Sequence, residues 1–361
     1  MKAAVLRKTQ EPLSIEEVQV GSPEPHEVRI RTVAAGVCRT DLHFQIGAIP
    51  HPTPFVLGHE SAGVVEEVGT EVRYVEPGDH VITCLSVFCG HCEFCLGGRP
   101  ALCHKEGLRR EPGQPPRLSQ DGQVIHQFKE LSSFAEEMLV HEHALVKIRR
   151  DMPLDRAALI GCAVTTGLGA VFRTARIEVG DTTAVIGCGG VGLSAIQGAA
   201  IAGASRVIAV DALPDKLELA AKLGATDLVN TADGDPVAQV LDICDGGVDY
   251  SFEAVGGKGT AEQSFRMLKR GGTATVIGLM ARDTTIELNG LDLIDEKKIQ
   301  GSDMGSNRFR IDMPKYVDFY LSGKLNLDDM VSRRVTLEEI NDAFESLERG
   351  DVARSVIVLR G

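Results

Sequence analysis

The segment Gly187-Cys188-Gly189-Gly190-Val191-Gly192 constrains this chain most, because it lies between a short apolar run, Thr183-Ala184-Val185-Ile186, and a helical pattern continuing through Ala202. The spacing is G-x-G-x-x-G. In that setting the first glycine permits a tight turn, the second lets backbone approach a pyrophosphate, and the third lets helix and strand pack closely. The helix N-terminus then offers unpaired N–H groups and a favourable dipole to phosphates. Alone the pattern is a weak signal. It gains force from Arg206-Val207-Ile208-Ala209-Val210-Asp211, a second strand whose acid follows Gly192 by 19 residues. An acid at that point hydrogen-bonds the adenosine ribose of a dinucleotide. Further strands are predicted at 225–230, 248–253 and 273–278 with helical stretches between them, which implies a parallel sheet with crossover helices. Ala212 and Leu213 follow Asp211 where an NADP site supplies a cation, and the carboxylate itself repels a 2′-phosphate, so NAD is expected. Lys216 is within reach of the same ribose edge, although a lone lysine there is equally a solvated first-turn residue.

At ~150 residues per domain, a chain of 361 residues is expected to form two. Apolar residues at 43% and charged residues at 25% suit a globular protein rather than a disordered one. The 38 Lys+Arg against 51 Asp+Glu leave a formal charge of −13, which opposes non-specific binding to nucleic acid or anionic membrane. No continuous apolar run reaches the ~20 residues of a bilayer span, and Lys2 and Arg7 interrupt the start before a signal-peptide core can form. A cytoplasmic protein with no nucleic-acid and no membrane partner is expected.

The nine cysteines are odd in number and the chain is long, which argues against a secreted disulfide framework. Cys89, Cys92, Cys95 and Cys103 are spaced C-x2-C-x2-C-x7-C. Four such thiolates can wrap one Zn2+ tetrahedrally with no position left open, the mark of a structural site. Iron–sulfur ligation and free thiols are the rival readings. Iron–sulfur runs space the last cysteines differently and add a proline, whereas His104, Lys105 and Glu106 follow here. Cys84 and Cys244 read as plain buried thiols. Residues 1–150 are β-rich, with alternating stretches at 27–33 and 62–68, and Pro112, Gly113, Pro115, Pro116 and Gly122 mark a long surface loop. The tail predicts helices near 314–321 and 337–347 and a last strand at 355–359, and is expected to rejoin the first domain. Cys38, His59 and Cys162 offer a Cys, a His and a second Cys, and three protein ligands leave the fourth zinc position open. Taken singly, each is as well a buried thiol or a structural imidazole.

Together these residues resemble the medium-chain zinc alcohol dehydrogenase family. The resemblance runs from Lys2 to the last strand, through the Cys38–His43 motif, Gly58-His59-Glu60, the four-cysteine lobe, Gly161-Cys162, the glycine segment and Asp211. Residues 123–128 before Ser132-Ser133-Phe134 are similar to the animal and glutathione-dependent branches. The resemblance implies an α/β fold: a GroES-like β-barrel catalytic domain at 1–163 and 304–361, with a structural zinc lobe at about 84–105, and a doubly wound Rossmann coenzyme domain at 164–303. It implies Cys38, His59 and Cys162 as ligands of a catalytic zinc, hence two zinc ions per chain, with NAD as the other cofactor. Asp41 and Glu60 are carried over as groups beside that metal, Asp41 orienting His59 through its other ring nitrogen. Arg39 and Arg354 match the family's pyrophosphate-binding cations, with a surface salt bridge the plain alternative for each, while the plain alternative for Glu60 is pairing with a nearby cation.

The implied activity is reversible hydride transfer between a small alcohol or aldehyde and NAD(H). Thr40 would accept the alcohol's proton and pass it through the cofactor ribose to His43, whose ordinary pKa suits the task. A homodimer through the Rossmann domains is expected, with a tetramer as the alternative. Leu85 stands where many relatives carry an aromatic, so bulky or aromatic alcohols fit, and Asp303 falls where relatives place an apolar pocket residue. The loop Gly47-Ala48-Ile49-Pro50-His51-Pro52 lacks the acidic pair typical of glutathione-dependent formaldehyde enzymes, which disfavours a thiol-adduct substrate. That substrate and a nicotinoprotein with permanently bound NAD(H) are the alternatives. A non-catalytic scaffold is opposed by the presence of all three ligands and the relay.

Overall fold

Buried and half-buried side chains alternate through the middle of Glu27–Gly36, and this makes it the strand around which the first unit is built. The computed structural model describes residues 1–111, 113–350 and 352–359, so Pro112 of the predicted loop lies outside the described residues. Glu27–Gly36 pairs with Ser61–Val68, Glu137–His141 and the tail strand Arg354–Val358, all antiparallel. Val28, Ile30, Val65, Val81 and Leu145 fill one apolar cluster of this unit, and Phe55, Phe128, Phe134, Phe344 and Ile357 fill another. The unit comprises Met1–Cys162, Arg308–Ser322 and Val331–Gly361.

The second unit, Ala163–Asn307 with Gly323–Met330, is wound about a six-stranded parallel sheet. Its strands lie in the order Asp227–Asn230, Arg206–Asp211, Thr182–Ile186, Val248–Glu253, Leu268–Val276 and Lys298–Gly301. All five pairings are parallel. The chain order reverses beside Thr182–Ile186, and the crevice outside the carboxyl ends at such a switch point is where ligands bind in open α/β sheets. Ala184, Val185, Ile186, Val207, Ile208, Ala209 and Val210 are buried, as strands covered on both faces require.

Several boundaries differ from the sequence expectation. Residues 304–307 and 323–330 cluster with the second unit rather than the first. Gln197 holds the latter stretch, accepting from the Asn326 N–H at 2.7 Å and donating to the Asn326 carbonyl at 3.1 Å. The tail helix runs Phe309–Leu321 with Pro314 inside it, so the proline does not mark its start. The helical turns of Leu154–Ala175 meet the length and hydropathy of a membrane span that no continuous apolar run suggested, yet 83% of the most apolar stretch is buried within the protein, as in a core helix.

Candidate active site and coenzyme loop

Cys38 ends the connection from Glu27–Gly36 and caps the helix Arg39–Gln45. His59 lies just before the strand Ser61–Val68, and Cys162 sits in a π-helical turn, Ile160–Val164. Such turns are rare and recur at functional sites. The fold brings the Cys38, His59 and Cys162 ligand atoms within 4.8 Å of one another, all three residues buried. Buried His59 Nε2 has no hydrogen-bond partner among the described residues, which a cation would resolve. The donor set of two sulfurs and one nitrogen fits zinc with an open fourth position.

Asp41 organises this cluster. One oxygen accepts from the Cys38 N–H at 3.0 Å, and the other meets the Gly58 N–H at 3.2 Å and His59 Nδ1 at 3.0 Å. The carboxylate therefore fixes the imidazole so that Nε2 is left for a metal. Gly58 needs its positive φ of 92°, and a Cβ there would fall 2.6 Å from Ser133 Oγ. Burial works against a charged imidazole at His59, but Asp41 and the Cys38 sulfur outweigh it and lift the pKa to about 10. The Cys162 thiol donates to Cys38 and holds it well below the ordinary thiol range; the same contact and burial push Cys162 up. Metal binding at these three residues therefore releases protons.

Glu60 and Arg354 form a buried ion pair rather than a surface one. Arg354 is buried, and its guanidinium donates to Glu60 Oε2 at 2.7 Å and to the Val37 carbonyl at 3.0 Å. Arg354 as placed serves the carboxylate, because burial leaves Glu60 needing a counter-charge. Gly36 makes room for the pair, since a Cβ there would fall 2.3 Å from Glu60 Oε1. Arg39 is exposed, and Thr40 and His43 are half-buried on the same helix. Burial lowers the His43 pKa, with Arg39 adding to the effect.

The four-cysteine lobe has metal-site dimensions. Sulfur–sulfur separations are 3.9 Å for Cys89–Cys95, 3.5 Å for Cys92–Cys95 and 3.8 Å for Cys92–Cys103. A tetrahedron with Zn–S bonds of about 2.3 Å has edges of about 3.8 Å. The N–H groups of Cys89, Cys92 and Lys105 donate to the sulfurs of Cys103, Cys89 and Cys103. Sequence reasoning missed Lys105, whose ammonium holds the Leu85 carbonyl at 3.0 Å and buried Glu130 at 3.4 Å. The signal available was a positive charge two residues after the last cysteine of the lobe.

In the second unit the glycine segment meets each steric demand. Gly187 has φ 93°, and a Cβ on Gly192 would fall 1.7 Å from the Gly187 carbonyl oxygen. Gly189 caps the helix Gly190–Ala202, with Val191 in its first turn, and a Cβ on it would meet nothing within 4 Å. That open space is the cradle a pyrophosphate needs and a side chain would fill. Asp211 accepts from the Cys188 N–H at 2.7 Å and the Leu213 N–H at 3.0 Å, and is half-exposed at the strand end. Lys216 is half-buried nearby in sequence, and Asp303 is exposed, its carbonyl accepting from the Ser306 N–H.

A buried cluster of metal-ligand residues in the barrel unit and a glycine-rich strand-to-helix loop in the doubly wound unit define a class: the zinc-type dehydrogenases. An alcohol dehydrogenase GroES-like domain model matches residues 24–150, and a zinc-binding dehydrogenase model matches residues 190–322. The "Probable S-(hydroxymethyl)glutathione dehydrogenase 1" of Schizosaccharomyces pombe is 39% identical over 99% of this chain and 96% of its own. An alcohol dehydrogenase zinc-binding domain protein from Burkholderia ambifaria superposes with a TM-score of 0.95 at 36% identity, covering 100% of this chain and 99% of that one. Benzyl alcohol dehydrogenase from Acinetobacter calcoaceticus gives 0.94 at 32% identity, over 99% of each chain. The chain belongs to the medium-chain zinc-dependent alcohol dehydrogenase family and is an oxidoreductase of that class.

Proposed function

We propose that the protein interconverts small primary or secondary alcohols, bulky or aromatic ones included, and their carbonyl products with NAD(H). The observation that carries this reading is the buried Cys38–His59–Cys162 cluster with its orphaned imidazole nitrogen. These residues would hold a zinc ion, which when bound supplies Lewis acidity toward an alcohol or carbonyl oxygen. Asp41 fixes His59 in the tautomer that presents Nε2. Thr40 and His43 carry the substrate's proton away, and the lowered pKa of His43 keeps it neutral and able to accept near neutral pH. Cys89, Cys92, Cys95 and Cys103 hold a second zinc in a structural role.

The NAD preference is assigned to Asp211, with Gly187, Gly189, Gly190, Val191 and Gly192 cradling the pyrophosphate. Asp211→Gly is expected to reduce the ratio of kcat/KM for NAD over NADP about tenfold to a hundredfold, the range of one charge-assisted hydrogen bond. An unchanged ratio overturns the ribose assignment. A homodimer through the doubly wound unit is supported by its edge strand Lys298–Gly301 and by the exposed Leu291, Leu293 and Ile294 just before it.

A thiol-adduct substrate is a second reading, favoured by the Schizosaccharomyces pombe relative and opposed by the absence of acids at 47–52. One absorbance screen decides between them. Benzyl alcohol, aliphatic and terpenoid alcohols, and S-(hydroxymethyl)glutathione are offered with NAD, and NADH formation is followed. Turnover of the free alcohols is expected to exceed that of the adduct. The reverse order selects the second reading, and no NADH from any of them overturns both.

A further inference from the structure

Glu253 closes the strand Val248–Glu253 at the carboxyl edge of the parallel sheet, and its side chain is wholly buried. One carboxylate oxygen, Oε1, accepts from the Val255 N–H at 2.9 Å, the Gly256 N–H at 2.7 Å and the Thr260 hydroxyl at 2.8 Å. The other, Oε2, is buried with no hydrogen-bond partner among the described residues. A buried carboxylate with an orphaned oxygen is costly, and such groups persist where they do a specific job. The backbone around it is cut to fit. A Cβ on Gly278 would fall 2.7 Å from Oε2 and 2.1 Å from the Gly256 nitrogen, and a Cβ on Gly256 would fall 2.4 Å from the Leu279 carbonyl oxygen.

Three segments meet at this residue. Ile277 and Gly278 both donate their N–H groups to the Glu253 carbonyl, at 2.8 Å and 3.0 Å. Ala254 donates to the Ile186 carbonyl at 2.9 Å, directly before the glycine segment. Val255 lies against Gly187, its Cγ2 only 2.6 Å from where a Cβ on that glycine would stand. The carboxylate therefore ties residues 254–257 down in contact with the first glycine of the coenzyme loop, in the crevice where open α/β sheets bind dinucleotides.

We propose that Glu253 is a positioning residue for the dinucleotide: Oε1 holds residues 254–257 against Gly187 and so keeps the pyrophosphate cradle in its binding shape. This rests on the NAD reading above. The function needs an acceptor at Oε1 and not a negative charge, so glutamine can replace glutamate and alanine cannot.

The test uses the full-length, zinc-loaded protein and NADH, whose own fluorescence reports binding in a chain with no tryptophan. Glu253→Ala is expected to raise the NADH Kd and the KM for NAD about tenfold or more, with kcat at saturating NAD within about threefold. Glu253→Gln is expected to restore binding to within about threefold, and Thr260→Val, which removes one donor, to weaken it about threefold. A Glu253→Ala protein that melts earlier but binds NADH like the unsubstituted one overturns the proposal. So does a Glu253→Gln protein as weak as the alanine variant. If Glu253→Ala does not fold, Thr260→Val decides: no change in NADH affinity overturns the assignment. An unsubstituted protein that ignores NADH overturns the cofactor reading itself, a result distinct from all of these.

Discussion

His59→Ala is expected to leave one zinc ion per chain where the unsubstituted protein binds two, and to cut alcohol turnover by at least about a thousandfold. The metal count follows from the separation of the two ligand sets: the four cysteines of the lobe share no residue with Cys38, His59 and Cys162. The rate follows from the Lewis acidity lost with the second ion, worth several kcal/mol, where each 1.4 or so is about tenfold. His59 is the ligand to change because its environment has no other use for Nε2. The ring is fully buried, Nδ1 is taken by Asp41, and Nε2 has no partner among the described residues. The lobe should keep the variant folded, so metal analysis and thermal unfolding on one sample separate loss of the ion from loss of structure. Two ions retained per chain would remove His59 from the ligand set.

Arg354→Met is expected to destabilise the folded chain by about 3–5 kcal/mol near neutral pH, the cost of leaving one member of a buried pair without its partner. Glu60 is fully buried, and burial already pushes its carboxyl up from 4.5 to about 7 despite the guanidinium. Without Arg354 the folded-state pKa rises further. Both proteins keep a proton that the unfolded chain releases above about 4.5 and lose stability alike up to about pH 7, so the deficit grows above about 7, where Glu60 ionises only in the unsubstituted protein, and levels off past the variant's folded-state pKa. Below that window Glu60 is protonated in the folded state of both proteins, and its titration adds nothing to the difference between them. Denaturant midpoints at about pH 5 and about pH 8 check the sign: the deficit is larger at the higher pH, and adding Glu60→Gln recovers much of it. An equal deficit at both pH values would assign the loss to packing and to the Val37 carbonyl instead.

The parts of this protein legible in its sequence are those whose physical demands are local. The positive φ of Gly187 and the close approach of Gly192 to the Gly187 carbonyl are requirements set within a few residues, which is why the motif, its strand and its helix could be placed without tertiary information. Cys89, Cys92, Cys95 and Cys103 belong to one short lobe, so spacing alone pointed to a metal, and the sulfur–sulfur distances agree with that reading. Cys38, His59 and Cys162 were different: singly they looked like ordinary buried residues, and only family resemblance joined them before geometry did.

What the tertiary structure alone decided are the pairings that cross long stretches of chain. Arg354 and Glu60 stand 294 residues apart, and no pattern in the sequence tells a buried guanidinium serving a carboxylate from one facing a phosphate. Glu253 is, in the sequence, only the last residue of a strand predicted over 248–253. Its meaning comes from Gly278 and Gly256, which lie on other segments and leave room for it. The π turn at Cys162 was equally invisible. Sequence specifies propensity, periodicity and local sterics residue by residue, whereas the protonation state and partner of a buried charge depend on which distant groups the fold carries to it, since desolvation makes the nearest counter-charge decisive.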